Sequence, residues 1–332
     1  MKLFAKRFDL KSKSQMTSEF DIIKKYFTRA NVNADLGVGD DAALVSVAAG
    51  MQLAISSDML VAGTHFFADV APYDIGWKAL AVNVSDMAAM GAQPKWATLA
   101  IALPKVDDSW LSEFSRGFFA CASAFNVDLI GGDTTRGPPN ISVTIMGEVP
   151  TGKALRRDGA HIGDDIWVSG TLGDAALALA HLQGKLHSQF KLDGGYIEYC
   201  LNALHRPQPR AALGLALIGL ANSAIDISDG LAADLGHILS ASKVGAKINL
   251  NALPCVEAVK NAGFQYVLAG GDDYELCFTA PQVMRAKIEK ISTELHLSIA
   301  LIGNIHAGSG LVVLDENKQK ITIKETGYDH FS

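Results

Sequence analysis

Nine aspartates fall in six short segments rich in glycine or serine: Gly37-Val38-Gly39-Asp40-Asp41, Ser56-Ser57-Asp58, Asn83-Val84-Ser85-Asp86, Gly131-Gly132-Asp133, Ile225-Asp226-Ile227-Ser228-Asp229-Gly230 and Gly270-Gly271-Asp272-Asp273. A single Asp beside Gly marks a turn or a helix cap. Repeated placement of Asp directly after apolar, strand-like runs asks for more. It predicts a sheet whose strand ends bring carboxylates together on one rim. Hard oxygen ligands of that kind hold Mg²⁺, and Mg²⁺ carries phosphates.

At 332 residues the chain is long for one core, so two domains are expected. Apolar residues make up 49% and charged residues 19%, enough to fill a sizeable interior. The net charge is −6 with no long basic run, which argues against nucleic acid as the main partner. Cys121, Cys200, Cys255 and Cys277 are far apart, without a C-x-x-C pair, and read as free thiols of a reducing, cytoplasmic compartment. Charges interrupt the N-terminal run from Met1 to Asp9, so it does not read as a secretory signal. The most apolar stretch, Ala211 to Ala221, is roughly half of the ~20 residues a membrane span needs.

Residues 1–17 are expected to form a flexible basic tail, with folded structure beginning at a helix capped by Ser18. Periodicity predicts a strand at 53–57, a helix from Pro72 closed by Gly91, a strand at 96–103 and a helix over 109–125. Strands at 129–130 and 141–146 complete an N-terminal α/β unit, and Ala43 to Val47 also has strand character. The turn-rich, basic stretch from Pro150 to Gly163 separates units at 18–150 and 151–332. In the second, a strand at 166–168 precedes a helix capped by Asp174, and a polar loop is expected on to Gly194 and Gly195. Helices at 208–220 and 231–240, with strands at 247–250, 276–279, 298–302 and 311–314, give a mixed α+β unit.

Two nucleotide-binding patterns nearly fit and fail on chemistry. In Gly147-Glu148-Val149-Pro150-Thr151-Gly152-Lys153-Ala154 the Mg²⁺-binding hydroxyl is replaced by Ala154, and Pro150 removes an N–H from the phosphate cradle. The glycines of 37–42 are followed by Asp40 and Asp41, which would face a pyrophosphate with like charge. At ~4 Å, and with no metal between them, that repulsion is about 1 to 4 kcal/mol.

Taken in order, Gly-Val-Gly-Asp-Asp-Ala-Ala-Leu (37–44), Ile-Ser-Ser-Asp-Met-Leu-Val-Ala-Gly-Thr-His-Phe (55–66) and Lys-Ala-Leu-Ala-Val-Asn-Val-Ser-Asp-Met-Ala-Ala-Met-Gly-Ala (78–92) closely resemble the thiamine-monophosphate kinase family. The resemblance continues through Leu-Ile-Gly-Gly-Asp-Thr-Thr-Arg-Gly (129–137), Ile-Asp-Ile-Ser-Asp-Gly-Leu (225–231), Gly-Gly-Asp-Asp-Tyr-Glu-Leu-Cys-Phe (270–278) and Gly-Tyr-Asp-His-Phe (327–331). That family belongs with the aminoimidazole ribonucleotide synthetase-like ATP enzymes. The resemblance implies an α/β N-terminal domain that dimerises through its sheet, followed by an α+β C-terminal domain. It makes Asp41, Ser56, Ser57, Asp58, Asp86, Asp133, Asp226 and Asp229 candidate ligands of several Mg²⁺ ions, with Asp58, Asp86 and Asp133 central to catalysis. Gly132, Asp133, Arg157 and Ser228 would contact ATP; His65, Asp272 and Tyr328 would contact thiamine monophosphate. Asp272 stands where this family commonly has Glu, so its reach toward substrate is shorter.

The implied reaction moves the γ-phosphoryl of ATP onto the phosphate of thiamine monophosphate. That acceptor, with a second pKa near 6, is already mostly dianionic at neutral pH and needs no general base. What the reaction needs is positioning and neutralisation of two anions. Asp229 also reads as an N-cap for the helix near Leu231, and Asp273 and Glu275 as solvated strand-edge charges. Other readings are another ATP-using superfamily member, such as aminoimidazole ribonucleotide synthetase, or a non-catalytic nucleotide- and metal-binding module. The latter must keep many buried carboxylates without the cations that would compensate them.

Overall fold

The computed structural model describes residues 18–186, 194–323 and 327–328; the proposed basic tail and Asp329 to Phe331 lie outside them. In chain order come α1 (Glu19–Ile22), continued by a π-helical turn at Ile23–Phe27, then β1 (Met51–Val61), α2 (Pro72–Ala89), β2 (Gln93–Leu103), α3 (Asp108–Phe125), β3 (Asp128–Arg136) and β4 (Asn140–Pro150). After a turn-rich segment follow β5 (Asp165–Ser169), α4 (Asp174–Leu182), α5 (Gly194–His205), α6 (Ala211–Ala216), β6 (Ser223–Asp226), α7 (Leu231–Ser242) and β7 (Gly245–Asn249). The remainder is α8 (Glu257–Ala262), α9 (Gln265–Leu268), β8 (Leu276–Ala280), α10 (Arg285–Glu294), β9 (Ile299–His306), β10 (Gly310–Leu314) and β11 (Lys320–Ile321).

The first four strands form a sheet of order β1-β4-β2-β3; the other seven form a second sheet, β11-β10-β7-β9-β5-β8-β6. On β4 the residues Ile141, Val143 and Ile145 are buried while Ser142, Thr144 and Met146 are not, the period-two pattern of a sheet with one covered face. β5 is buried on both faces: Trp167 joins the core shared with the first sheet, and Ile166 and Val168 join the core beneath α4 and α7.

α2 holds the architecture together. Pro72 occupies its first turn, where a missing N–H costs nothing, and Gly91 (φ +64°) follows its end. Ala79, Leu80, Ala81, Val82, Val84, Met87 and Ala88 are all buried, so the helix is apolar nearly all round, as a central helix must be. It crosses α3 so closely that a Cβ on Gly117 would lie 1.8 Å from the Tyr73 carbonyl oxygen. α3 begins with the Asp107 side chain accepting from the Trp110 N–H at 3.1 Å and ends at left-handed Asn126 (φ +55°).

Several local expectations are corrected. Ala43 to Val47 form no strand; Leu44 makes only an isolated bridge to Leu36, so the segment's pairing is with its own neighbouring residues and not with a sheet. Only Ala211–Ala216 of the 208–220 stretch is α-helical. The polar segment expected as loop gives way to α5 already at Gly194, whose Tyr196, Ile197 and Leu201 pack on the core under α4. Asp174 is the first residue of α4 and does not cap it; its carboxylate accepts from the Thr171 and Tyr196 hydroxyls at 2.7 and 2.6 Å. Among the described residues no helix is long and apolar enough to cross a membrane, and all four cysteines are free.

Candidate active site

A cleft of about 1150 Å³ opens where β1 and α2 meet the loops after β6 and before β8. Five carboxylates line it: Asp58 from β1, Asp86 from α2, Asp226 at the end of β6, Asp229 in the loop beyond and Asp272 in the segment before β8. The elements deliver them for simple reasons. Asp58 shares the inward parity of Leu60 on β1, and Lys78, Val82 and Asp86 form an i, i+4, i+8 stripe on one face of α2.

The hydroxyls of Ser56 and Ser85 then fix two of these carboxylates, and the Asn83 amide holds the backbone of a third residue. Ser56 Oγ donates to Asp86 Oδ2 at 2.5 Å, and Ser85 Oγ donates to Asp226 Oδ2 at 2.7 Å across the two sheets. The Asp58 N–H donates to Asn83 Oδ1 at 3.2 Å, while Asn83 Nδ2 donates back to the Ala79 carbonyl at 3.0 Å. Asn83 and Ser85 are fully buried. Neither is an obvious ligand in the sequence; their signal is polarity inside an otherwise apolar helix.

The charges are in mutual conflict. Burial, then Asp86 and Asp229, pushes the Asp58 carboxyl up to about 6. Burial, then Asp86, pushes Asp226 up to about 7. Asp86 is also raised by burial, against the opposing hydrogen bond from Ser56 and the charge of Arg157. Carboxylates crowded this way are stabilised by a divalent cation, and oxygen donors suit Mg²⁺. Among the described residues no three acidic, His or Cys side chains already converge as a closed ion cage. Mg²⁺ commonly takes one or two carboxylates, with water and substrate phosphates completing its octahedron.

The other sequence candidates divide. Ser56, Ser57, His65, Ser228, Asp272 and Tyr328 belong to the cleft or its first layer. The Ser57 hydroxyl is turned to the outer face of the sheet, donating to the Val143 carbonyl at 3.1 Å. The Val61 N–H donates to His65 Nδ1 at 3.0 Å, so a neutral ring carries its proton on Nε2. The Tyr328 N–H donates to the Asp229 carbonyl at 3.1 Å. Arg157 is exposed but close enough for its charge to act on Asp86. Asp41 lies on an exposed turn outside the cleft lining, where its N–H donates to Asp40 Oδ1 at 2.9 Å.

Gly132 and Asp133 sit on the far edge of their sheet. Asp58, Val143, Leu99 and Gly132 form one register row from β1 across β4 and β2 to β3. Three strand spacings of ~4.8 Å put Asp58 and Gly132 roughly 14 Å apart. Asp133 pairs with outward-facing Ala100, so its carboxylate shares the outer sheet face. One chain does not bring Asp133 to Asp58.

The segment before β8 departs most from expectation. Asp273 and Glu275 are not solvated. Asp273 accepts from the Gly173 N–H at 3.0 Å, and Glu275, 4% exposed, takes Ser169 Oγ and the guanidinium of Arg210. Glu275 pairs with a half-buried cation there. Asp272 (φ +67°) and Tyr274 (φ +51°) are both left-handed, a costly backbone for non-glycine residues. Gly271 permits it, since a Cβ there would lie 2.3 Å from the Ser228 carbonyl oxygen. Asp272 is held by Lys78, whose Nζ lies 2.9 Å from Oδ1 with its side chain only 5% exposed, and by the Tyr274 hydroxyl at 3.1 Å. Sequence reasoning missed Lys78 because a lone Lys on an apolar helix face carries no pattern.

Asp229 does not cap α7. Gly230 occupies that place, and Asp234, one turn inside the helix, supplies the carboxylate.

Residues 39–149 match the family model of AIR synthase related protein, N-terminal domain, and residues 161–316 that of AIR synthase related protein, C-terminal domain. Thiamine-monophosphate kinase of Escherichia coli (strain K12) is 45% identical over 322 residues, covering 95% of this chain and 98% of its own. That of Bacillus subtilis (strain 168) is 33% identical over 324 residues, covering 94% and 99%. The solved thiamine-monophosphate kinase of Stenotrophomonas maltophilia K279a superposes with TM-score 0.79 at 48% identity, over 85% of this chain and 91% of that one. AaThiL complexed with AMPPCP and TMP superposes with TM-score 0.75 at 30% identity, over 94% and 96%. By its matched domains, by identity along nearly its whole length and by its fold, the chain belongs to the thiamine-monophosphate kinase family.

Proposed function

We propose that the cleft catalyses ATP-dependent phosphorylation of thiamine monophosphate to thiamine diphosphate. The observation that carries this is the group of four aspartates, Asp58, Asp86, Asp226 and Asp229, lining one cleft in a chain of this family. A family member is solved complexed with AMPPCP and TMP, so both reactants have a counterpart in a related fold.

Bound Mg²⁺ would neutralise the phosphates of both reactants and hold them in line. Asp58, Asp86, Asp226 and Asp229 are the residues to hold it, with Ser56 and Ser85 fixing the carboxylates of Asp86 and Asp226. Arg157 adds a fixed cation near Asp86 on the ATP side. No general base is required, because the attacking oxygen belongs to an acceptor phosphate that is already ionised. His65 fits a binding role, since its Nδ1 is occupied by the Val61 N–H. Asp272 and the ring of Tyr328 suit the cationic thiazolium by charge and by cation–π contact.

The N-terminal unit, 18–150, carries the metal and dimerisation roles in this reading, and 151–332 supplies the loops that close the cleft. The active form is a cytoplasmic homodimer. Support comes from the outer face of the first sheet, where Leu53, Ile55 and Met59 are 37%, 60% and 52% exposed in a row. It comes also from Asp133 and Gly132, stranded at the opposite edge. In a dimer joined through these sheets, those residues of one copy serve the cleft of the other. The direct test is purified protein with ATP, Mg²⁺ and thiamine monophosphate, followed by chromatography. Thiamine diphosphate is the expected product; ADP without it would point to another acceptor.

A further inference from the structure

Ser228, Asp229 and Gly230 present three consecutive backbone N–H groups at the rim of the cleft, the kind of nest that binds phosphate. In this protein the nest is already filled. Asp234 Oδ2 accepts from the N–H groups of Ser228, Asp229 and Gly230, each at 3.1 Å, and Asp234 is 2% exposed. The Ser228 carbonyl accepts from the Asp272 N–H at 2.8 Å, and the Asp229 carbonyl from the Tyr328 N–H at 3.1 Å. Nearly every backbone polar group of the loop is therefore committed internally, and only side chains remain to meet a ligand.

We propose that Asp234 is a positioning residue: an internal anion that takes the place of phosphate in this nest. By holding three amides inward it sets the Asp229 carboxylate and Ser228 hydroxyl along the cleft. Nucleotide phosphates are then met at this loop through side chains and not through backbone N–H groups. This role is distinct from helix capping alone, because Asp234 lies inside α7 and its oxygen reaches back over the whole turn. The proposal rests on the phosphotransfer reading for the ligand's identity, but the occupancy of the nest can be tested without any turnover.

The experiment is residue-resolved amide hydrogen exchange at 228–230 in wild type, Asp234→Asn and Asp234→Ala, with and without inorganic phosphate or a non-hydrolysable ATP analogue. Mn²⁺ affinity is measured alongside by titration. In wild type the three amides are expected to be protected in the free protein and unchanged by phosphate. In Asp234→Ala they lose protection and regain it when phosphate enters the vacated nest, and Mn²⁺ affinity falls by about tenfold to a hundredfold as Asp229 loses its orientation. Asp234→Asn, which keeps one acceptor oxygen and is the milder change if Asp234→Ala does not fold, falls between. Unchanged protection in Asp234→Ala, or phosphate-induced protection of these amides in wild type, would overturn the proposal. A wild type with this exchange pattern but no thiamine diphosphate formation would sink the substrate reading and leave the nest assignment standing.

Discussion

The charge conflict in the cleft has a thermodynamic consequence that one substitution can expose. Asp226 is 5% exposed, faces Asp86 and Asp58, and its carboxyl is pushed up to about 7 from an ordinary value of 3.8. Ionising such a group in the metal-free fold costs on the order of 4 kcal/mol. The folded state holds the proton more tightly than the unfolded chain, so stability falls as pH rises from about 4 to about 7, and the full cost is present above that. Asp226→Asn removes the charge, keeps an oxygen for Ser85 Oγ, and offers its NH₂ to the neighbouring carboxylates. In EDTA at pH 8 the variant is expected to melt higher than wild type, by about 4 to 8 °C for a chain of this size. At pH 4 the two should converge. Mg²⁺ at pH 8 should raise the wild-type melting temperature more than that of the variant, which keeps Asp58, Asp86 and Asp229 but has less charge to neutralise. Calorimetry across pH with EDTA or Mg²⁺ decides the matter. A variant less stable than wild type in EDTA at pH 8 would refute the claim that these carboxylates repel one another without a cation.

Asp58→Asn and Asp86→Asn are each expected to fold normally and to lose at least a hundredfold in kcat, about 3 kcal/mol of barrier, in the thiamine diphosphate assay. Asp133→Asn should be equally inactive, yet mixing it with Asp58→Asn and allowing chain exchange should restore about a quarter of wild-type activity, since half the dimers are mixed and each has one intact site. No restoration would place Asp133 with its own chain's cleft or outside the site. Ile55→Asp, on the exposed outer sheet face, should shift the sedimentation coefficient to that of a monomer; an unaltered dimer would mean that another surface joins the copies. Asp272→Asn should destabilise by about 3 kcal/mol because it leaves the buried Lys78 ammonium without its partner, and Lys78→Met by less because Asp272 stays partly in water; equal denaturation midpoints would contradict that asymmetry.

The elements that set the fold were legible where a pattern is long. Eighteen residues of α2, from Pro72 in the first turn to Gly91 beyond the end, follow from local chemistry alone, as does the alternation along β4. Short pieces were not. β6 is only four residues, Ser223–Asp226, buried on both sides, and it declares itself only by pairing with β8. At the site, residue type and context marked nine aspartates, of which Asp58, Asp86, Asp226, Asp229 and Asp272 line the cleft, whereas Asp41 does not. Partnership was invisible: that Glu275 neutralises Arg210 and that Lys78 answers Asp272 are contacts between distant segments, and that Asp234 fills its own loop is a local contact with no sequence pattern to announce it. Nor could a linear reading show that Asp133 lies at the opposite sheet edge from Asp58, since strand order follows from tertiary pairing.

α2 carries Lys78 at one end of the cleft and Asp86 at the other, with Ser85 and Asn83 fastened to both sheets between them. Eight residues of helix set a rise of about 12 Å between those two positions. Under the proposed reaction that span would act as a gauge for the acceptor: a molecule whose ring system and phosphate are spaced to match would engage both marks at once, and a shorter or longer one would miss one of them. Because the rod is a single buried helix and not a loop, it cannot stretch to suit, and length discrimination would then come with the framework itself.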